Sequence, residues 1–212
     1  MRLYDYAASG NCYKVRLALA QLGMEYERVP VDIFAGDTLT DEFARLNPAR
    51  ETPVLVRDGE RPLTESNAIL LHLAEGTDLI PADAEARAQA YRWLFFEQAN
   101  VLPALAGLRF MLQTGRLAPD HPGVGRRRAD GEQALAVLDR ELSEHEFLAG
   151  PGYSVADISL YAYVHVAGDA GYELPDGVRD WIGRVEAQPG HMNDLEPYPE
   201  NSHLGNSRSI YG

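Results

Sequence analysis

The sequence has a single cysteine, Cys12, in 212 residues, so no intramolecular disulfide and no cysteine-based structural zinc site can form. It is also short of basic charge. Lys and Arg number 19 against 32 Asp and Glu, a formal net charge of −13. A field of that sign repels nucleic-acid phosphates and anionic lipid, which argues against a nucleic-acid partner. No apolar run reaches the roughly 18 residues of a membrane span, so no membrane association is expected. Asp5 and Lys14 interrupt the N-terminus where a secretory signal would need an apolar stretch. The lone cysteine and the lack of an N-x-S/T acceptor fit a reducing, cytoplasmic setting. Nucleotide-binding glycine patterns, H-E-x-x-H spacing and the G-x-S-x-G elbow are all missing. Neither a metal nor a cofactor is expected.

What is present is an ordinary globular composition, 45% apolar and 24% charged, and a clear change of pattern along the chain. Residues 2–6 alternate as a first strand, and Val15, Leu17, Ala18, Leu19 and Leu22 form a helical stripe ending at Gly23. A second strand is expected over 25–31, and a short helix over Asp41–Leu46 stops before Asn47-Pro48. Pro53–Val56 reads as an apolar strand. Asp58-Gly59 reads as a hairpin turn, and Arg61–Leu63 as the returning strand. Thr64-Glu65-Ser66 then opens another helix that runs to Gly76. From Ala84 onward the strands vanish. Helices are expected over 84–115, 123–146, 154–168 and 177–187, and 76–84 reads as a linker. The expected organisation is a small α/β domain over 1–78, an all-α domain over 85–195, and a polar tail over 196–212.

Several turns carry residues suited to binding. Ser9-Gly10-Asn11-Cys12 lies at a strand-to-helix turn, where unpaired backbone N–H groups and the helix dipole favour an anion. Ser9 or Asn11 could hold a thiolate there, or merely cap the helix with Cys12 packed behind it. Cys12 itself, inside the first helical turn, could have a lowered pKa. Thr52-Pro53 begins a strand where proline has no N–H to donate. This suits a cis bond beside a ligand, or a plain edge strand. Glu65-Ser66-Asn67 opens a helix directly after a strand, with Ser66 as the expected cap. The N–H groups there suit a carboxylate and Glu65 suits an ammonium, so an α-amino acid head would satisfy both. Ser154-Val155-Ala156-Asp157 has the spacing of a capping box.

In combination these segments resemble a glutathione transferase. The order is the serine turn, Asn47-Pro48, Thr52-Pro53-Val-Leu, Glu65-Ser66-Asn67-Ala-Ile, and Ser154-Val-Ala-Asp157 in a helical domain. The resemblance covers about residues 1–195. It implies a thioredoxin-like α/β N-terminal domain, an all-α C-terminal domain and a homodimer. It also implies that Ser9, as in theta- and delta-like classes, or Asn11, as in nu-like ones, faces the sulfur of glutathione. Pro53 matches the cis-proline, and Thr52 the residue pairing with the cysteinyl part. Arg50 matches a position that meets the glycyl carboxylate, and Glu65 and Ser66 the pair gripping the γ-glutamyl head. Asp157 matches a capping aspartate with a folding role.

Departures from the family pattern are as informative. Thr52 stands where an apolar residue is usual, and acidic Glu51 precedes it, unfavourable beside a glycyl carboxylate unless it points away. Tyr6 is a secondary contender for thiol activation. Cys12 lies three residues past Ser9, whereas cysteine-type classes place the reactive thiol at or next to the serine position. The implied activity is transfer of glutathione onto an electrophilic, mostly apolar second substrate. That substrate is expected against Phe96, Leu108, Phe110 and Met111. The alternatives are a glutathione-dependent disulfide reductase or peroxidase, and a non-catalytic binding module of the same fold.

Overall fold

The computed structural model describes residues 1–200 and 202, so 201 and 203–212 of the expected tail lie outside the described residues. Strand β1 (Arg2–Asp5) is central in a three-stranded sheet of order β2-β1-β3. It pairs in parallel with β2 (Glu27–Pro30), Leu3 opposite Arg28, and antiparallel with β3 (Val54–Val56), Leu3 opposite Leu55. Helix α1 (Gly10–Gln21) makes the crossover between the parallel strands. A 3₁₀ turn (Asp37–Leu39) and α2 (Asp41–Leu46) follow β2, and α3 (Ser66–Ala74) follows β3. The returning strand expected at Arg61–Leu63 is reduced to one bridge, Leu55 with Leu63. Pro62 lies in the middle of that segment and has no N–H to extend a ladder.

The remaining elements are helical: α4 (Ala84–Phe96), a π-helical segment (Glu97–Ala106), α5 (Gly107–Gln113), α6 (Pro122–Leu142), α7 (Val155–Val164) and α8 (Asp176–Glu186). The single helix expected over 84–115 is thus divided. Pro103 lies inside its π-helical part, where its ring cannot fit the carbonyl of a regular preceding turn. The helix expected over 154–168 ends at Val164 and gives way to a short 3₁₀ turn, Ala167–Ala170. Among the described residues, no helix is long and apolar enough to cross a membrane.

The helical stripe expected for α1 is not a single face in the structure, because the helix is buried on nearly every side. Val15 and Leu19 pack with Leu3, Leu55, Ile69 and Leu73 against the sheet. Tyr13 and Leu17 join a larger cluster with Leu70, Trp93, Leu105 and Tyr161 in the helical part. Val31, Ile33, Phe43, Val54 and Val56 cover the other sheet face. One helix therefore belongs to both cores, and its first turn is held rigidly where the two parts meet.

The capping box at α7 forms as the spacing predicts. Asp157, fully buried, accepts from the Ser154 N–H at 2.9 Å and the Ser154 hydroxyl at 3.1 Å. It also accepts from the Leu148 N–H at 3.0 Å and the indole N–H of Trp181 at 2.9 Å, joining a loop and α8 to the helix start. Removing the carboxylate would strand these donors in the interior. Asp157→Ala is expected to cost at least about 3 kcal/mol, because stranded buried donors cost about 1–3 kcal/mol each. Urea denaturation measures it; a loss below about 1 kcal/mol would mean that water replaces the carboxylate.

Candidate active site

A cleft of about 410 Å³ opens between the β1–α1 turn and the π-helical segment. That volume is within the usual range of about 300–1,000 Å³ for small-molecule sites. Ser9, Asn11, Arg50, Glu51, Thr52 and Glu65 all line it. Residues more than fifty positions apart are brought together because the turn after β1 and the start of antiparallel β3 share one end of the sheet, where the start of α3 joins them. Pro53 and Ser66 are not among the lining residues: Pro53 immediately precedes β3, and Ser66 is the first residue of α3, hydrogen-bonded to Asn11 of the lining.

Ser9 caps α1, its Oγ accepting from the Cys12 N–H at 3.3 Å. An accepting hydroxyl keeps its own proton to donate, so capping and holding a thiolate are compatible. The Asn11 amide is fixed through its Oδ1, which accepts from the Ser66 hydroxyl at 3.0 Å, and its N–H₂ remains the donor end. Ser66 is therefore not the cap of α3 that the sequence led us to expect. Glu65 takes the cap position with a left-handed φ of 66° and no side-chain cap bond, and Ser66 is the first helical residue. Its hydroxyl serves Asn11 instead.

Two non-glycine residues have left-handed backbone among the described residues, Arg50 (φ 59°) and Glu65, and both line the cleft. Such conformations cost about 1–3 kcal/mol each and cluster at functional sites. The Thr52–Pro53 peptide bond is cis. Arg50 donates through Nη1 to the carbonyls of Thr38 and Thr40, both at 3.1 Å, and its Nη2 lies 3.9 Å from Asp41. Burial, with the charge of Glu65 behind it, pushes the Glu51 carboxyl above its ordinary pKa.

Cys12 differs from the expectation of a lowered pKa. It is fully buried, does not line the cleft, and its Sγ accepts from the Tyr6 N–H at 3.4 Å. Burial first, then the charge of Asp5, pushes the thiol up to about 11. The loss of hydration outweighs the hydrogen bonds that favour a thiolate. Tyr6 does line the cleft, and burial with Asp32 and Glu196 nearby raises its phenol, so it stays neutral.

The wall expected to take a second substrate is only partly where sequence put it. Phe110 lines the cleft, Leu108 is in the core, and Met111 is half-buried outside the lining. Phe96 borders a different hollow of about 300 Å³ with Pro103, Arg127 and Val137, and none of residues 9–11 lines it. Sequence reading missed two groups. Tyr198 packs edge-on to Phe110 at 5.0 Å and lines the cleft, although it comes from the polar tail; the sign was an aromatic between Pro197 and Pro199. The other is a buried cluster behind Glu65 and Ser66. Lys14 pairs with Glu97 at 3.1 Å and donates to Asn67 at 3.3 Å, and Ser159 donates to Asn67 at 2.8 Å. Burial lowers the Lys14 pKa, opposed by Glu97. The sign was one lysine in an otherwise buried helix and one glutamate amid the aromatics of 93–96.

Comparison with known proteins agrees with this geometry. Residues 1–75 match the family model described as the glutathione S-transferase N-terminal domain. The chain is 34% identical over 195 residues to glutathione S-transferase 2 of Anopheles gambiae, covering 88% of this chain and 91% of the other. It is similar to the crystal structure of a glutathione S-transferase from Pseudomonas fluorescens, with 40% identity, a TM-score of 0.88, and 92% and 98% of the two chains covered. It is also similar to a Burkholderia graminis glutathione transferase solved with two glutathione molecules per subunit, at 30% identity, TM-score 0.80, and 92% and 86% coverage.

The placement of Cys12 is testable directly. At pH 7.5 a thiol with a pKa near 11 is ionised to about 0.03%, so a disulfide reagent should label no cysteine in the native protein and one after denaturation. Rapid labelling of the native protein would show that Cys12 is accessible. Cys12→Ala should keep more than about a tenth of the wild-type activity.

Proposed function

The chain belongs to the glutathione S-transferase family, and from that premise we propose how it works: it presents glutathione as a thiolate for attack on an electrophile. The observation that carries this reading is the convergence of the Ser9–Asn11 turn, the Thr52-Pro53 strand start and the Glu65-Ser66 helix start on one cleft. In this reading Glu65 holds the γ-glutamyl ammonium, and the first N–H groups of α3 hold its carboxylate. The backbone of Thr52 pairs with the cysteinyl part, Pro53 shapes that strand, and the glycyl end runs toward Arg50 and Glu51.

The chemical requirement is modest. A free thiol with a pKa near 8.5 is about 3% ionised at pH 7, and lowering it by about two units needs about 2.7 kcal/mol. One hydrogen bond to a charged sulfur supplies about 1.5–3 kcal/mol, and the N-terminus of α1 adds about 0.3–1 kcal/mol. Ser9 or Asn11 is sufficient, without a metal or a cofactor in the step. The thiolate forms a carbon–sulfur bond to the electrophile as the leaving group departs or the substrate ring opens. The aromatic side of the cleft, Phe110 and Tyr198, gives an apolar second substrate its surface.

Disulfide reduction through an enzyme–glutathione mixed disulfide is disfavoured by the burial of Cys12, the one cysteine of the chain. A non-catalytic binding module is disfavoured by donors placed beside the sulfur position, which binding alone does not need. We further propose that residues 1–78 form the glutathione-binding unit and 85–195 the helical unit. In this reading Tyr198 forms part of the second-substrate wall, and the protein acts as a cytoplasmic homodimer.

Two measurements test the assignments. Glu65→Ala should weaken glutathione binding at least about tenfold, since the ligand ammonium loses a charged partner worth about 1.5–3 kcal/mol. Calorimetry showing no heat with wild-type protein and no competition by S-hexylglutathione would sink the reading. Ser9→Ala should raise the pKa of the bound thiol by about one to two units and Asn11→Ala by less. Ultraviolet titration of the thiolate reads both, and equal ionisation in wild type and Ser9→Ala would transfer the role to Asn11.

A further inference from the structure

Resting on the reading above, the cleft holds an unusual charge balance where the glycyl end of glutathione would lie. Arg50 is the cation among its described lining residues, and one end of its guanidinium is already engaged. Its guanidinium faces two carbonyl oxygens at 3.1 Å and the Asp41 carboxylate at 3.9 Å. Glu51, the next residue, lines the same cleft, as does Glu65. The nearby lysine, Lys14, is buried behind the wall and neutralised by Glu97 at 3.1 Å. The chain as a whole carries a formal charge of −13.

An incoming γ-glutamyl ammonium is well served by Glu65. A terminal carboxylate is less well served, because the lining offers it one arginine, part of whose guanidinium is engaged, against the two carboxylates Glu51 and Glu65. The carboxyl of Glu51 already feels this crowding, being raised by burial and by Glu65 before any ligand arrives. Burial of a further anion beside it would add like-charge repulsion in a partly desolvated cleft. Its main chain is also committed. The Glu51 carbonyl accepts from the Asn47 side chain at 2.8 Å, which keeps this residue seated at the cleft rim.

We propose that the site selects glutathione derivatives whose glycyl carboxyl is capped as an amide, neutral or amine-bearing, and that Glu51 sets this preference. An amide N–H can donate to Glu51 where a carboxylate would be repelled, and an amine beyond it would be attracted. The sulfur chemistry at Ser9 and Asn11 is the same for either thiol. The selection therefore acts on binding of the co-substrate and leaves the rate of the chemical step nearly unaltered.

The test is steady-state kinetics with one electrophile and two thiols, glutathione and its glycyl amide, at equal pH and ionic strength. Wild type should show a KM about three- to tenfold lower for the amide, with kcat within about twofold. Glu51→Gln should bring the two KM values within about twofold of each other, chiefly by lowering that of glutathione. Glu51→Ala should act in the same direction. A wild-type preference for the free acid, or a preference for the amide that survives Glu51→Gln, would overturn the proposal. An enzyme inactive with both thiols would instead remove the transferase reading beneath it, and this proposal with it.

Discussion

Lys14 and Glu97 meet at 3.1 Å with neither side chain exposed to water, at the junction of α1, α3, α7 and the π-helical segment. Such a pair adds little net stability, because desolvating two charges offsets their attraction. It is a severe constraint all the same. Losing one partner leaves a buried charge, at a cost of about 3–5 kcal/mol, so the elements that carry the pair must stay in register. Asn67 lies at the centre, accepting from Lys14 and Ser159 and donating to Glu97 at 2.9 Å. Its neighbour Ser66 donates to Asn11. Through two adjacent residues on α3, a buried ionic cluster is thus connected to Asn11 in the cleft.

The other side of the cleft is held by a strap. After α8 the chain returns across α1. Gly190 passes so close that a Cβ would lie 2.9 Å from the Ala20 carbonyl oxygen, and its φ is 71°. A side chain there would meet backbone that cannot move aside. Beyond it Asp194 pairs with Arg16 at 2.9 Å, Tyr13 donates to the Met192 carbonyl at 2.8 Å, and Arg109 donates to the Glu196 carbonyl at 3.2 Å. These anchors deliver Tyr198 to Phe110. The aromatic side of the cleft therefore depends on how residues 190–198 are anchored.

Much of this was legible in the residues. Period-two and helical patterns located β1, α1, β3 and the helices of the second half, because each needs only local contrast between apolar and polar positions. Asn47-Pro48, Thr52-Pro53 and Glu65-Ser66-Asn67 signalled turns through the chemistry of proline and of short polar side chains. The Asp157 capping box was readable because both its partners lie three residues apart. Pro62 and Pro103 were in view as well. Their effects, a strand reduced to a bridge and a helix opened into a π-helical segment, depended on neighbours that local pattern does not supply.

The sequence by itself determined which segments fold, where they turn, and which polar residues stand at turns able to bind a thiol and an amino acid head. Tertiary structure alone decided the rest, because it depends on distance between residues remote in the chain. It placed the Cys12 thiol in a dehydrated interior, where burial raises a pKa that the helix terminus would lower. It gave the Ser66 hydroxyl to Asn11 across 55 positions and left the cap to a strained Glu65. It brought Tyr198 from the polar tail to the cleft, and engaged one end of the Arg50 guanidinium with the carbonyls of Thr38 and Thr40. Local pattern records which side chains are polar or apolar. Solvation and pairing belong to the packed interior, and the chemistry of this cleft is set by both.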